Sequence, residues 1–112
     1  MVSKAARENA DMARIYAEAK IAGDAAAKNR GDSMQSGVVW VSIRPARGPF
    51  VKWCKANRIG RTNKYEGGYY ISSVDACAFA GQNVEAKLDG CSAFAAVLQA
   101  NGIPATACDR LE

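Results

Sequence analysis

Between Ser33 and Tyr65 the chain carries seven cations, Arg44, Arg47, Lys52, Lys55, Arg58, Arg61 and Lys64, and no acidic residue. From Glu66 onward the balance reverses, with six acids against Lys87 and Arg110. The net charge of +4 therefore hides a segregated field that attracts phosphates or an acidic protein surface. The sharpest grouping is "RPARGPF", in which Arg44 and Arg47 bracket the loop into a helix whose first turn begins near Pro49. Free N–H groups and the positive end of the helix dipole favour an anion there, and guanidinium forks grip phosphate in two-pronged fashion. Arg44, Arg47, Lys52, Lys55 and Arg58 are accordingly the candidate anion-binding set. The plainer alternative is a strand-to-helix turn followed by a solvated helix face.

Other chemistries find little support. The chain has no histidine, which removes the Ser-His and Cys-His dyads, the usual proton shuttle near neutral pH and the commonest metal ligand. Cys54, Cys77, Cys91 and Cys108 are widely spaced, with no C-x-x-C pair to suggest a zinc site. They read as small buried hydrophobes in a reducing compartment. No metal, cofactor or catalytic residue is expected, and a small histidine-free enzyme ranks last among the functions considered.

The elements that position the cations follow from periodicity. A chain of 112 residues, 49% of them hydrophobic, fits one modest core. Residues 1–32 read as an alanine-rich helix and linker, with Ser3 as its cap, Gly23 weakening its end, and a thin stripe of Met12, Ile15, Tyr16 and Ala19. Residues 33–112 read as an α+β domain. "GVVWVSIRP" is a strand stopped by proline, with Val39, Val41 and Ile43 on one face and Trp40, Ser42 and Arg44 on the other. A helix from Pro49 to a stop at Gly60 buries Phe50, Trp53 and Cys54. "YYISS" from Tyr69 and "ACAFA" from Ala76 supply two further strands. A helix capped by Asn83 follows, burying Val84, Leu88, Cys91, Phe94, Ala95 and Leu98, and "IPATACDRL" closes the chain as a strand.

That order, β-α-β-β-α-β, predicts a small ferredoxin-like sheet with two helices on one face and an extra N-terminal helix. A β-α-β-α-β arrangement without "ACAFA" is the alternative. Either leaves one sheet face open, with Tyr70 beside Trp40. Aromatics on the middle strands of such a sheet can stack bases, although the aromatic octapeptide of RNA-recognition domains is absent. The competing use is packing: Met12, Ile15 and Tyr16 could cover Trp40 and Tyr70, within the chain or from the second subunit of a homodimer.

No apolar run reaches membrane-spanning length, and "MVSKAARENADMAR" has no apolar signal core, so a cytoplasmic protein is expected. The final Leu111-Glu112 is assigned no function. "WVSIRPARGPFVKW", with "YEGGY" and "AFAAVLQANGIPA", resembles small proteins encoded by tailed bacteriophages over roughly residues 38–112. The resemblance implies a viral protein acting in the host cytoplasm by binding. Two targets compete: nucleic acid or a nucleotide held by the basic segment, and a host or defence protein complex inhibited through the aromatic face and N-terminal helix.

Overall fold

The computed structural model describes residues 3–30, 37–63, 67–77 and 84–111. Helix α1 (Lys4–Arg30) leads into β1 (Gly37–Ile43), α2 (Pro49–Ala56), β2 (Arg61–Thr62) and β3 (Tyr69–Ser72). A single helical turn, α3 (Ser73–Ala76), then α4 (Val84–Ala100) and β4 (Ala105–Leu111) complete the order. The architecture is α+β: among the described residues, four helices and one four-stranded sheet in the order β2-β3-β1-β4, with every neighbouring pair antiparallel.

Alternation along β1 decides the two sides of the sheet. Val39, Val41 and Ile43 are buried, together with Tyr69 and Ile71 of β3 and Ala105 of β4. Against them pack Phe50, Val51 and Cys54 of α2 and Cys91, Phe94, Ala95 and Leu98 of α4. Trp53 and Leu88, expected in this core, lie half-buried at its margin, and Val51 takes the inner position in α2. The expected cap Asn83 lies outside the described residues, and so does most of "ACAFA".

Two expectations are corrected. Ala76, placed in a strand by the sequence, ends the helical turn α3, where it is fully buried with its carbonyl oxygen against α1. Alanine fits a tight turn against a crossing helix better than a pleated sheet. The additional strand lies instead before Tyr69, at Arg61–Thr62, paired with Tyr70 and Tyr69. Gly23 does not weaken the end of α1 either, because the helix continues to Arg30. A Cβ on Gly23 would sit 2.5 Å from the Ala76 carbonyl oxygen, and one on Gly90 would sit 2.5 Å from the Cys77 Sγ. Glycine at both positions lets α1 cross α4 closely, which outweighs the ~1 kcal/mol helix penalty of each.

Ile15, Ala19, Gly23 and Ala27 recur every fourth residue and form the buried seam of α1. Ser3 caps the helix, its Oγ accepting from the Ala6 N–H at 3.1 Å. An exposed Arg14–Glu18 pair at 3.2 Å adds the small i,i+4 increment.

Candidate nucleic-acid interface

The site is built from the strand positions left over by the core. On β1 these are Trp40 and Ser42, followed by Arg44; on β3 they are Tyr70 and Ser72, preceded by Gly68; on β4, Thr106 and Cys108. Trp40 and Tyr70 stack with ring centroids 5.7 Å apart and planes 20° off parallel. Their Cα partners are Ser72 and Ser42, so the rings meet diagonally, within reach of aromatic side chains. The Arg61 guanidinium lies over the Tyr70 ring, 5.2 Å from its centroid. Both rings remain half-exposed.

Helix α1 does not cover this pair. Met12, Ile15 and Tyr16 turn to the opposite side of the sheet and pack on the helices of the same chain. Tyr16 lies 5.4 Å from Trp53 and 5.8 Å from Phe94, centroid to centroid, and its hydroxyl donates to the Asp75 carbonyl at 2.7 Å. The apolar seam and the hydroxyl both find partners on the core side, so the helix has no apolar stripe left for Trp40.

The double glycine before Tyr69 has a spatial reason. Gly67 holds φ +77°, a turn conformation that suits glycine. Gly68 lies under the Arg44 side chain: a Cβ there would come within 3.0 Å of Arg44 Cγ and 3.1 Å of Ser42 Oγ. Removing that Cβ lets the Arg44 stem cross β3 on the same face as Tyr70.

The sequence-defined cations divide accordingly. Arg44 borders a cleft of about 410 Å³ on the open face, with Ser42, Gln99, Thr106 and Cys108. Arg58 and Arg61 border a second cleft of about 340 Å³ with Gly60, Tyr70, Ser72 and Asp75. Arg47, Lys52 and Lys55 belong to another surface, beside Gly48 and Pro49 at the start of α2, where Glu8 of α1 joins them. The structure thus separates Arg44 from Arg47, and the acid beside Arg47 offsets part of the positive field at that helix start. Arg61 was missed as a site residue because a two-residue strand leaves no periodic signal. Among the described residues, the sheet strands place no acidic side chain on the open face.

Arg58 has φ +59°, in the left-handed region. It closes α2 in a Schellman motif: Ile59 N–H donates to the Cys54 carbonyl at 2.8 Å and Arg58 N–H to the Lys55 carbonyl at 3.2 Å. Glycine is the usual residue there, so arginine is kept at a conformational cost.

The thiols and buried hydroxyls are poised for packing. Burial pushes the Cys54 thiol up to about 12, which keeps it protonated and a poor nucleophile. Cys91 is raised first by its hydrogen bond with Cys77 and then by burial. Tyr16 and Tyr69 are each pushed up to about 12, chiefly by burial; the Tyr69 hydroxyl donates to the Ile59 carbonyl. Among the described residues, no group of three or more acidic or thiol side chains could hold a metal ion, and no helix is long and apolar enough to cross a membrane.

Compared with protein-family models, curated proteins and solved structures, the chain finds no match in any of the three.

Proposed function

We propose that the open sheet face binds single-stranded nucleic acid, with bases stacked on the Trp40–Tyr70 platform and phosphates held by Arg44, Arg61 and Arg58. The observation that carries this reading is the stacked aromatic pair, uncovered by α1 and flanked by arginine. Stacking on such a platform is worth about 1–3 kcal/mol per base and tolerates any sequence, while the arginines add a salt-dependent electrostatic share. Read from the β4 edge, the order β4-β1-β3-β2 with antiparallel neighbours supports the ferredoxin-like reading, in which Trp40 and Tyr70 occupy the two middle strands. The role is binding without catalysis, and the phage resemblance would set it in an infected cell.

The test is fluorescence anisotropy with labelled oligothymidine and oligouridine across a salt series. Binding should weaken steeply with salt, and Arg44→Ala and Arg61→Ala should each reduce the slope by about one. Lys52→Ala with Lys55→Ala, on the other surface, should change it little. Absence of binding at low salt would overturn the proposal. Trp, Tyr and Arg are also the residues that anchor protein interfaces. A salt-insensitive interaction with a protein, lost in Trp40→Ala, would favour inhibition of a host protein complex through the same face.

A further inference from the structure

The cleft at the Tyr70 end of the platform carries an acid, and on a phosphate-binding surface that acid needs a reason. Asp75 lines it together with Arg58, Arg61, Ser72 and Tyr70. The carboxylate belongs to the first turn of α3, and that turn is tied to α1 by the Tyr16 hydroxyl on the Asp75 carbonyl, at 2.7 Å. A carboxylate repels a phosphate, so this part of the cleft fits the edge of a base and not the backbone.

Among the described residues, no ion pair joins the Asp75 carboxylate to Arg58 or Arg61. The cleft floor is bare main chain at Gly60, whose φ of +75° and contact with the Tyr69 ring exclude a side chain. What remains is a recess of about 340 Å³, within the ~300–1,000 Å³ of small-ligand sites, where the Arg61 guanidinium, itself seated over the Tyr70 ring, is the plane on which a base would stack.

Base chemistry then discriminates. An ionised carboxylate is acceptor-only and offers two oxygens side by side. Guanine alone presents two adjacent donors, N1–H and N2–H, on its Watson–Crick edge. Adenine and cytosine set one donor beside an acceptor, and thymine sets one donor between two acceptors. Guanine's O6 and N7 are in turn the acceptors that an arginine fork prefers. We infer that the cleft formed by Arg58, Arg61, Tyr70, Ser72 and Asp75 selects guanine, an inference that rests on the single-strand-binding reading above.

The experiment uses the full chain and thymidine hexamers with one central position varied. The guanine-containing hexamer should bind roughly 5- to 150-fold tighter than the all-thymidine hexamer, the discrimination of one good two-pronged contact. Inosine, which lacks the N2 amino group, should lose most of that preference on the unaltered protein, so the result does not depend on a variant that folds. In Asp75→Asn, with thermal unfolding as the check on the fold, the guanine-to-thymidine ratio should fall to near one. Equal binding of all hexamers by the unaltered protein, or a ratio kept in Asp75→Asn, would overturn guanine selection and leave single-strand binding standing. Failure of every hexamer to bind would overturn the underlying reading itself.

Discussion

One strand shows both halves of this protein. On its inner side β1 buries Val39, Val41 and Ile43 to 1% exposure or less, under α2, α3 and α4, with α1 as an outer brace. On its outer side the same strand presents Trp40, Ser42 and then Arg44, with no described helix above them. Apolar area on the inner side is consumed by folding. On the outer side a tryptophan and a tyrosine stay half-exposed, with the Arg61 guanidinium over the Tyr70 ring. The comparison predicts that inner-face changes act on stability and outer-face changes on binding, with little exchange between the two.

Alkali should break the inner side most completely. The tyrosines at 16 and 69 have their pKa raised from 10.0 to about 12, chiefly by burial, and Cys54 rises from 9.0 to about 12 for the same reason. In this window the unfolded chain has lost protons that the native state keeps, so the stability slope with pH is negative. Stability is full below pH 9 and is lost as pH climbs through about 12. Tyrosinate absorbance and circular dichroism should therefore change together; tyrosinate forming throughout with the fold intact would contradict the burial of Tyr16 and Tyr69.

Next comes single-residue surgery on the core. Leu98→Ala should cost about 2–5 kcal/mol in urea unfolding, as large-to-small changes in a closed core do. Gly23→Ala should cost about 1–3 kcal/mol despite alanine's better helix propensity, because its Cβ meets the backbone oxygen of Ala76, which cannot rotate away. Stability equal to the parent in Gly23→Ala would mean that α1 lies farther from the Ala76 carbonyl.

Much of the inner side was legible in the sequence because its signal is periodic. Val39, Val41, Ile43, Phe94 and Leu98 follow the strand and helix repeats, and the helix starting at Pro49 has its expected proline. The signal failed where a long-range partner set the conformation. Gly23 reads as weakening the end of a helix until the carbonyls of Ala76 and Gly90 stand opposite it. Arg61–Thr62 is a strand only because β3 offers a ladder, and the side of the sheet on which α1 packs was not legible because alanine and glycine seams carry little hydrophobic weight. On the outer side, alternation gave the neighbourhood of Trp40 and Tyr70, yet the separation of Arg44 from Arg47 depends on which cleft each loop enters.

On the outer face, Trp40→Ala should weaken oligonucleotide binding by about 1–3 kcal/mol while costing the fold no more than about 0.5–1.5 kcal/mol, the worth of its stack on Tyr70. In a Trp53→Phe background, quenching of Trp40 by the oligonucleotide reads the face directly. A stability loss larger than the binding loss would place Trp40 in the core and erase the distinction between the sides.

The smallest effect is the most pointed, because it compares two helix ends of identical design. Helix α4 closes with Gly102 at φ +79° and Ile103 N–H on the Leu98 carbonyl at 2.9 Å; α2 closes the same way with Arg58 at φ +59°. A side chain in the left-handed region carries a penalty of about 1–2 kcal/mol, partly offset in the glycine variant by the extra entropy of its unfolded chain. Arg58→Gly should thus gain about 0.5–1 kcal/mol in urea unfolding, whereas Gly102→Ala should lose about as much. The stabilised Arg58→Gly protein should at the same time bind oligothymidine more weakly, with a shallower salt slope. Stability given up at one helix end and kept at the other is then explained by the ligand. A destabilised Arg58→Gly would show that the arginine stem packs for the fold, and the contrast between the two ends would lose its functional meaning.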